Sequence, residues 1–343
     1  MDLWAKHPSK RSSDLGGFIV NSSVAHRFAH PVASVAIVGA GLVGTTTAHA
    51  LLVSGTASEI VLVGRDRKRV EGHVNDLRDA ALYSRPTRIV AGDYSDCAAA
   101  DVIIITVGAP QRPHSRLNDL RESGAILKEV IREVARQEPK GVLLIASNPV
   151  DVLTHAAWKW SGLPVSRVIG SGTSLDTLRF RRRIAEHYGV AADNVHAYIL
   201  GEHGDSQVAL LSSARIAGTS LEEFCRERRL PCDDSALRVI ANETRNGGLQ
   251  IIQSKGATQY GISAVLTRIV SAILRDEHAV LTVSNLAPAQ MNVGEVFLSL
   301  PAIITRDGVD RVLPVQLNDE ESGALKKSAH ILRRHLQMLD LSS

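Results

Sequence analysis

The stretch Gly39-Ala40-Gly41-Leu42-Val43-Gly44 restricts the fold more than any other segment. It follows an aliphatic run, Ser34–Val38, and leads into Val43–Val53, where apolar residues recur at helical spacing. In a strand–turn–helix unit of this kind, Gly39 allows the tight turn and Gly41 lets backbone approach a ligand. Gly44 lets the helix pack closely on the strand. The helix start then offers unpaired N–H groups and the positive end of its dipole, an arrangement suited to a pyrophosphate. The loop therefore predicts a bound dinucleotide.

Further runs of strand length, Glu59–Val63, Val102–Val107 and Gly141–Ala146, alternate with helical patterns such as Ala125–Arg136. Strand–helix–strand alternation predicts an α/β, Rossmann-type doubly wound parallel sheet over 32–170. After Gly170 the pattern changes. Helix candidates at Asp176–Tyr188, Leu237–Lys255, Ile262–Leu274 and Glu320–Leu339 surround a strand pair, Val296–Ile304 and Val309–Val315, joined through Arg306-Asp307-Gly308. This reads as a second, α+β catalytic domain over 171–343. Residues 1–31 are rich in Ser, His, Lys and Arg without apolar periodicity, and read as a flexible extension.

Composition excludes several classes. The net charge of +3 is small for 343 residues and the basic residues are interspersed with acidic ones, against a nucleic-acid partner. The 3 cysteines lack both a disulfide framework and metal-ligand spacing, so no metal and a reducing cytoplasm are expected. No apolar run approaches the ~20 residues of a membrane helix.

Cofactor choice stays open at the sequence level. An acidic residue for the adenosine ribose is expected about 20 positions beyond the glycine loop. Gly64-Arg65-Asp66 stands there instead. Asp66 reaching the ribose from a shifted position would keep NAD. Arg65, Arg67 and Arg69 around a missing carboxylate would admit NADP.

Chemistry concentrates in Gly201-Glu202-His203-Gly204-Asp205-Ser206 and in Gly170-Ser171-Gly172-Thr173-Ser174-Leu175-Asp176-Thr177-Leu178-Arg179. Asp176 and Arg179 share one helix face. Reducing a 2-keto acid needs an acid at the carbonyl oxygen, a task suited to histidine near neutral pH. Holding the carboxylate needs a fork of donors, which arginine supplies. A carboxylate behind the histidine would orient the ring and stabilise its protonated form.

With these motifs in order, Val32–Leu339 resembles the lactate/malate dehydrogenase family, and within it the bacterial lactate-type members. The resemblance implies that His203 is the proton donor and acceptor, Asp176 its partner, and Arg179 the clamp for the substrate carboxylate. It adds Asn148, in Ser147-Asn148-Pro149-Val150-Asp151, beside the nicotinamide and the substrate, with Ser147 as a cofactor contact. Tyr94, Gly108, Ala109 and the loop residue Val43 are implied as further cofactor contacts. Substrate choice depends on the segment after the fourth strand, where malate-type members carry an arginine and this chain has Gln111. A neutral side chain leaves a second carboxylate unpaired and suits pyruvate. Thr258 and Ile262 agree with lactate-type members. The carbonyl-polarising arginine, Arg116, lies one residue closer to Gln111 than in the family pattern, and Arg112 could take Gln111's place and admit a dicarboxylate. The alternatives are thus a malate or broader L-2-hydroxy-acid dehydrogenase and, from another class, a non-catalytic nucleotide-binding redox sensor. A sensor would not need His203, Asp176 and Arg179 together. Arg181 and His196 match members activated by fructose 1,6-bisphosphate, and the same resemblance implies a homotetramer.

Overall fold

The computed structural model describes residues 33–109, 116–231 and 233–342. Three early strands, β1 (Ser34–Val38), β2 (Glu59–Val63) and β3 (Arg88–Ala91), pair in parallel. The chain then crosses to the other side of β1 and lays down β4 (Val102–Ile105), β5 (Val142–Ile145) and β6 (Val168–Gly170), also parallel. Three antiparallel strands, β10 (Ala279–Leu286), β11 (Phe297–Thr305) and β12 (Gly308–Val312), extend the same sheet beyond β6. The sheet has nine strands in the order β12-β11-β10-β6-β5-β4-β1-β2-β3. Strand order reverses between β1 and β4, which opens a crevice at their carboxyl ends.

Side chains alternate across this sheet, as the pleat requires. On one face Ala36, Val38, Ile103, Ile105, Leu143 and Ile145 share a core with α3 (Arg116–Ala135), α4 (Val150–Ser161) and α9 (Asp319–Leu336). On the other, Val35, Ile37, Val102, Ile104, Val142 and Leu144 meet α1 (Leu42–Ser54) and α8 (Tyr260–Leu274). Burial on both faces explains why these strands read as continuous aliphatic runs rather than alternating ones. A third core lies around a separate three-stranded antiparallel sheet containing β7 (Val195–Leu200), β8 (Val208–Ile216) and β9 (Thr219–Ser220). Helices α5 (Ser174–Tyr188), α6 (Leu221–Arg228) and α7 (Asp234–Lys255) pack there.

Several boundaries differ from the sequence expectation for identifiable reasons. Helix α3 starts at Arg116, nine residues before the apolar period is regular, because its first turns carry Asn118, Asp119, Arg121 and Glu122. Helix α9 begins at a reciprocal cap between Asn318 and Glu321 and ends at Leu336, short of Leu339. The helix α2 (Arg67–Ala81) escaped notice because only Val70, Val74 and Leu77 in it are buried. Strand β12 stops at Val312 rather than Val315, after an irregularity opposite Ile303 and Ile304.

Candidate functional site

The glycine loop lies at the carboxyl end of β1, beside the reversal of strand order. Gly39 has φ +119°, and a Cβ there would sit 2.5 Å from the Thr106 hydroxyl. At Gly44 a Cβ would come within 1.9 Å of the Gly39 carbonyl oxygen, so only glycine lets α1 start this close to β1. Gly41 is different, because its open side meets nothing within 4 Å. Gly41 is also the N-cap of α1, with no side chain capping it. An uncapped 13-residue helix facing open space through a glycine is a cradle that fits a pyrophosphate.

The other expected cofactor contacts lie on the segments that follow β1, β2, β3, β4 and β5. Val43, partly buried, packs on the core behind the loop, and its carbonyl accepts the Thr47 hydroxyl at 2.7 Å. Thr47 also meets the Ser263 hydroxyl at 3.1 Å, tying α1 to α8. Gly108 and Ala109 follow β4, where the Ala109 N–H donates to Ser123 Oγ at 3.2 Å. Ser147 is buried and donates its hydroxyl to the Val107 carbonyl, bracing β5 against β4, while Asn148 beside it is exposed. Tyr94 starts a short 3-10 turn and is partly buried. Gly64, Arg65 and Arg69 lie between β2 and the first turn of α2.

A second constellation forms where β7 ends. His203 Nδ1 lies 2.5 Å from Asp176 Oδ2, and the other oxygen, Oδ1, accepts Arg179 Nη1 at 3.1 Å. Side-chain exposure falls from 29% at His203 to 15% at Arg179 and 3% at Asp176, so the carboxylate is the deep member of the three. The negative charge of Asp176 holds the His203 imidazolium well above the ordinary histidine range, against the opposing effect of burial. Burial alone would push the Asp176 carboxyl up. The charge and hydrogen bond of His203, with Arg179, outweigh it and bring the carboxyl below its usual range.

Hydroxyl groups not singled out in the sequence fix this geometry. Thr173 Oγ1 donates to the Ile199 carbonyl at 2.5 Å, and Thr177 Oγ1 accepts the Ile199 N–H at 3.0 Å. The first turn of α5 is thereby stapled to the strand that delivers His203. Ser174 Oγ donates to the Thr282 carbonyl at 2.9 Å, fastening the same turn to β10. Asp151 was also missed as more than a motif member. Buried in the first turn of α4, it accepts the His203 backbone N–H at 2.7 Å and the Ser299 hydroxyl at 3.1 Å. Burial pushes Asp151 up to about 6, despite the His203 hydrogen bond. Only spatial folding reveals these partners, because they come from five separate segments.

Thr258 and Ile262 flank the start of α8 and are half-buried. Gln111 and Arg112 lie outside the described residues, and Arg116 is described only as the first backbone position of α3. Arg181, on α5, donates Nε to the Ala197 carbonyl at 2.9 Å and lies over the Tyr198 ring at 5.0 Å. His196, on the same strand as both, is exposed.

Two family models match, described as the lactate/malate dehydrogenase NAD binding domain over residues 33–170 and its alpha/beta C-terminal domain over residues 173–339. The chain belongs to the lactate/malate dehydrogenase family. The L-lactate dehydrogenase of Thermus aquaticus is 46% identical over 301 residues, 87% of this chain and 97% of that protein. L-lactate dehydrogenase 1 of Clostridium acetobutylicum is 42% identical, covering 89% of this chain and 98% of its own length. The crystal structure of the minor L-lactate dehydrogenase from Enterococcus mundtii in its ligands-bound form matches with a TM-score of 0.87 and 37% identity. It covers 91% of this chain and 99% of that one.

The Asp176–His203 pair makes a pH-dependent contribution to stability. The His203 part is fully present below the ordinary histidine pKa and is lost as pH rises through the raised folded value. The Asp176 part is present above the ordinary carboxylate pKa and is lost as pH falls through the lowered folded value. Asp176→Asn should therefore cost most in mildly acidic solution, between the ordinary carboxylate and histidine pKa values, on the order of 3 kcal/mol. The deficit should narrow toward both extremes. Urea unfolding of both proteins across pH, at one protein concentration, checks this. A deficit independent of pH contradicts it.

Proposed function

We propose that this chain is an NAD-dependent L-lactate dehydrogenase that interconverts lactate and pyruvate. The observation that carries the reading is the single buried carboxylate, Asp176, hydrogen-bonded at one oxygen to His203 and at the other to Arg179. A histidine and an arginine on one carboxylate support this reading, because 2-keto-acid reduction requires a proton donor beside a carboxylate-binding cation. The similarity to L-lactate dehydrogenases over nearly the whole chain supports the same activity.

In this reading Arg179 pairs with the substrate carboxylate through a guanidinium nitrogen not committed to Asp176. His203, its Nδ1 held by Asp176, offers Nε2 to the carbonyl oxygen and gives up its proton as the oxygen gains charge. A dinucleotide held by the Gly39–Gly44 loop would supply the hydride for the carbonyl carbon. The imidazole that results stays oriented by Asp176, ready to take the proton back in lactate oxidation. Asn148, at the end of β5, and Thr258 with Ile262, at the start of α8, line the nicotinamide and methyl side. By resemblance to the family, Arg116 is the carbonyl-polarising residue and Gln111 the residue that selects the substrate. The segment 32–170 holds the cofactor and 171–343 the substrate. Among the described residues no helix is long and apolar enough to cross a membrane. We assign the enzyme to the cytoplasm and to pyruvate reduction at the end of glycolysis.

We also propose a homotetramer regulated by fructose 1,6-bisphosphate. Val239, Leu249 and Ile251 expose apolar surface on α7, which fits contact with a second copy. His196 lies on β7 and Arg181 donates to Ala197 of the same strand, and the two would form half of an anion site completed by another subunit.

NADH oxidation with pyruvate, oxaloacetate and branched 2-keto acids tests the substrate assignment. Pyruvate should have the highest kcat/KM. Gln111→Arg should shift the pyruvate-to-oxaloacetate ratio toward oxaloacetate by about a hundredfold, the value of a charge-assisted hydrogen bond in a closed site. Oxaloacetate preference in the wild type would make the chain a malate dehydrogenase, and no turnover would favour the sensor. For regulation, fructose 1,6-bisphosphate should lower the KM for pyruvate and favour the tetramer in sedimentation, with Arg181→Ala abolishing both effects. An unresponsive wild type, or a response that survives in Arg181→Ala, contradicts this.

A further inference from the structure

The turn that leaves β2 departs from an adenosine site built for NAD alone. About 20 positions beyond Gly44, where a carboxylate would grip both ribose hydroxyls, the chain has Gly64. The packing closes that position. A Cβ on Gly64 would meet Val70 Cγ2 at 2.9 Å and Ala40 Cβ at 3.3 Å. Val70 is itself buried at 1% exposure in the first turns of α2, so it has little room to yield.

The carboxylates around the turn have other employment. Asp66 caps α2, accepting the Arg69 N–H at 3.1 Å. Glu71 pairs with Arg67 Nε at 2.9 Å. Asp93 accepts both the N–H and the hydroxyl of Ser95, at 2.8 and 2.5 Å, and Asp96 accepts the Asp93 N–H at 2.8 Å. Of the arginines, Arg67 is occupied too, with Nη1 donating to the Gly92 carbonyl at 3.1 Å. Arg65 and Arg69 are left. Both are exposed, and among the described residues neither has a carboxylate partner. The outcome is a ribose corner with two uncommitted guanidinium groups, whose neighbouring carboxylates are each held by a hydrogen bond or an ion pair.

We propose that Arg65 and Arg69 bind the 2′-phosphate of NADP(H), so that the enzyme accepts NADPH as well as NADH. The proposal rests on reading the glycine loop as the dinucleotide site. A phosphate dianion offers oxygens to both forks at once, and guanidinium groups bind it through paired N–H donors. Because both arginines face solvent, the attraction is screened by salt, and the preference weakens as ionic strength rises.

Binding measurements test this without turnover. Calorimetry compares adenosine 2′,5′-bisphosphate with AMP, two probes that differ only in the 2′-phosphate, at low and at moderate salt. Fluorescence titration gives the dissociation constants of NADH and NADPH. Wild type should bind the bisphosphate about tenfold or more tightly than AMP at low salt, the value of a charge-assisted hydrogen bond. The ratio should shrink with salt. In Arg65→Gln/Arg69→Gln, shown to be folded by circular dichroism, the ratio should fall to about one, and NADPH affinity should drop far more than NADH affinity. NADH binding with no 2′-phosphate preference, or a preference that survives in the double variant, overturns the proposal and returns the ribose to Asp66. Failure of the wild type to bind NADH overturns the reading of the glycine loop itself, and the proposal with it.

Discussion

A carboxylate at 3% exposure is costly to keep charged, and the C-terminal domain of this protein is organised around meeting that cost at Asp176. One oxygen is satisfied by His203 and the other by Arg179. Each partner is thereby fixed in angle as well as distance. The histidine cannot turn without stranding a buried anion, and the arginine cannot swing away for the same reason. A residue pair that would be two loosely held cations on an exposed surface becomes two cations held in fixed orientation on one carboxylate.

The surrounding fold follows from this demand. Asp176 sits in the first turn of α5, and Thr173 and Thr177 pin that turn to both backbone groups of Ile199. Four residues later the chain reaches His203, whose own N–H is held by Asp151 from the first turn of α4. Asp151 is a second buried carboxylate, raised to about 6 by its surroundings, and it fixes the backbone where Asp176 fixes the ring. Helix α4 starts at the end of β5, next to the crevice where strand order reverses. The sheet therefore connects the glycine cradle and the His203 site through a few short, stiff segments.

Much of this was legible in the sequence, for physical reasons. The strands β1 and β2 were read to the residue because burial on both faces makes them unbroken aliphatic runs. Gly39 and Gly44 were readable because no Cβ fits between strand and helix there. His203, Asp176 and Arg179 were recognisable as residue types suited to one reaction, and the helical spacing of the last two gave their shared face. Helix α2 was not legible, since a helix with three buried residues has too little apolar period to stand out. The roles of Asp151, Thr173, Thr177 and Ser299 were hidden too, because hydroxyls and carboxylates of this kind are ordinary residues until the fold brings them to a common backbone segment. The continuation of the parallel sheet into β10, β11 and β12 depends on a single register pair, Gly170 with Ser284, which local sequence does not encode.

The central claim is that Asp176 keeps the His203 ring protonated and fixed, and NMR of the enzyme with 15N-labelled histidine observes this directly. The His203 ring nitrogens should remain those of an imidazolium well above pH 6.5, the ordinary histidine value, with the Nδ1 proton protected by its carboxylate partner. A His203 ring that titrates at or below that value, with a freely exchanging Nδ1 proton, would contradict it.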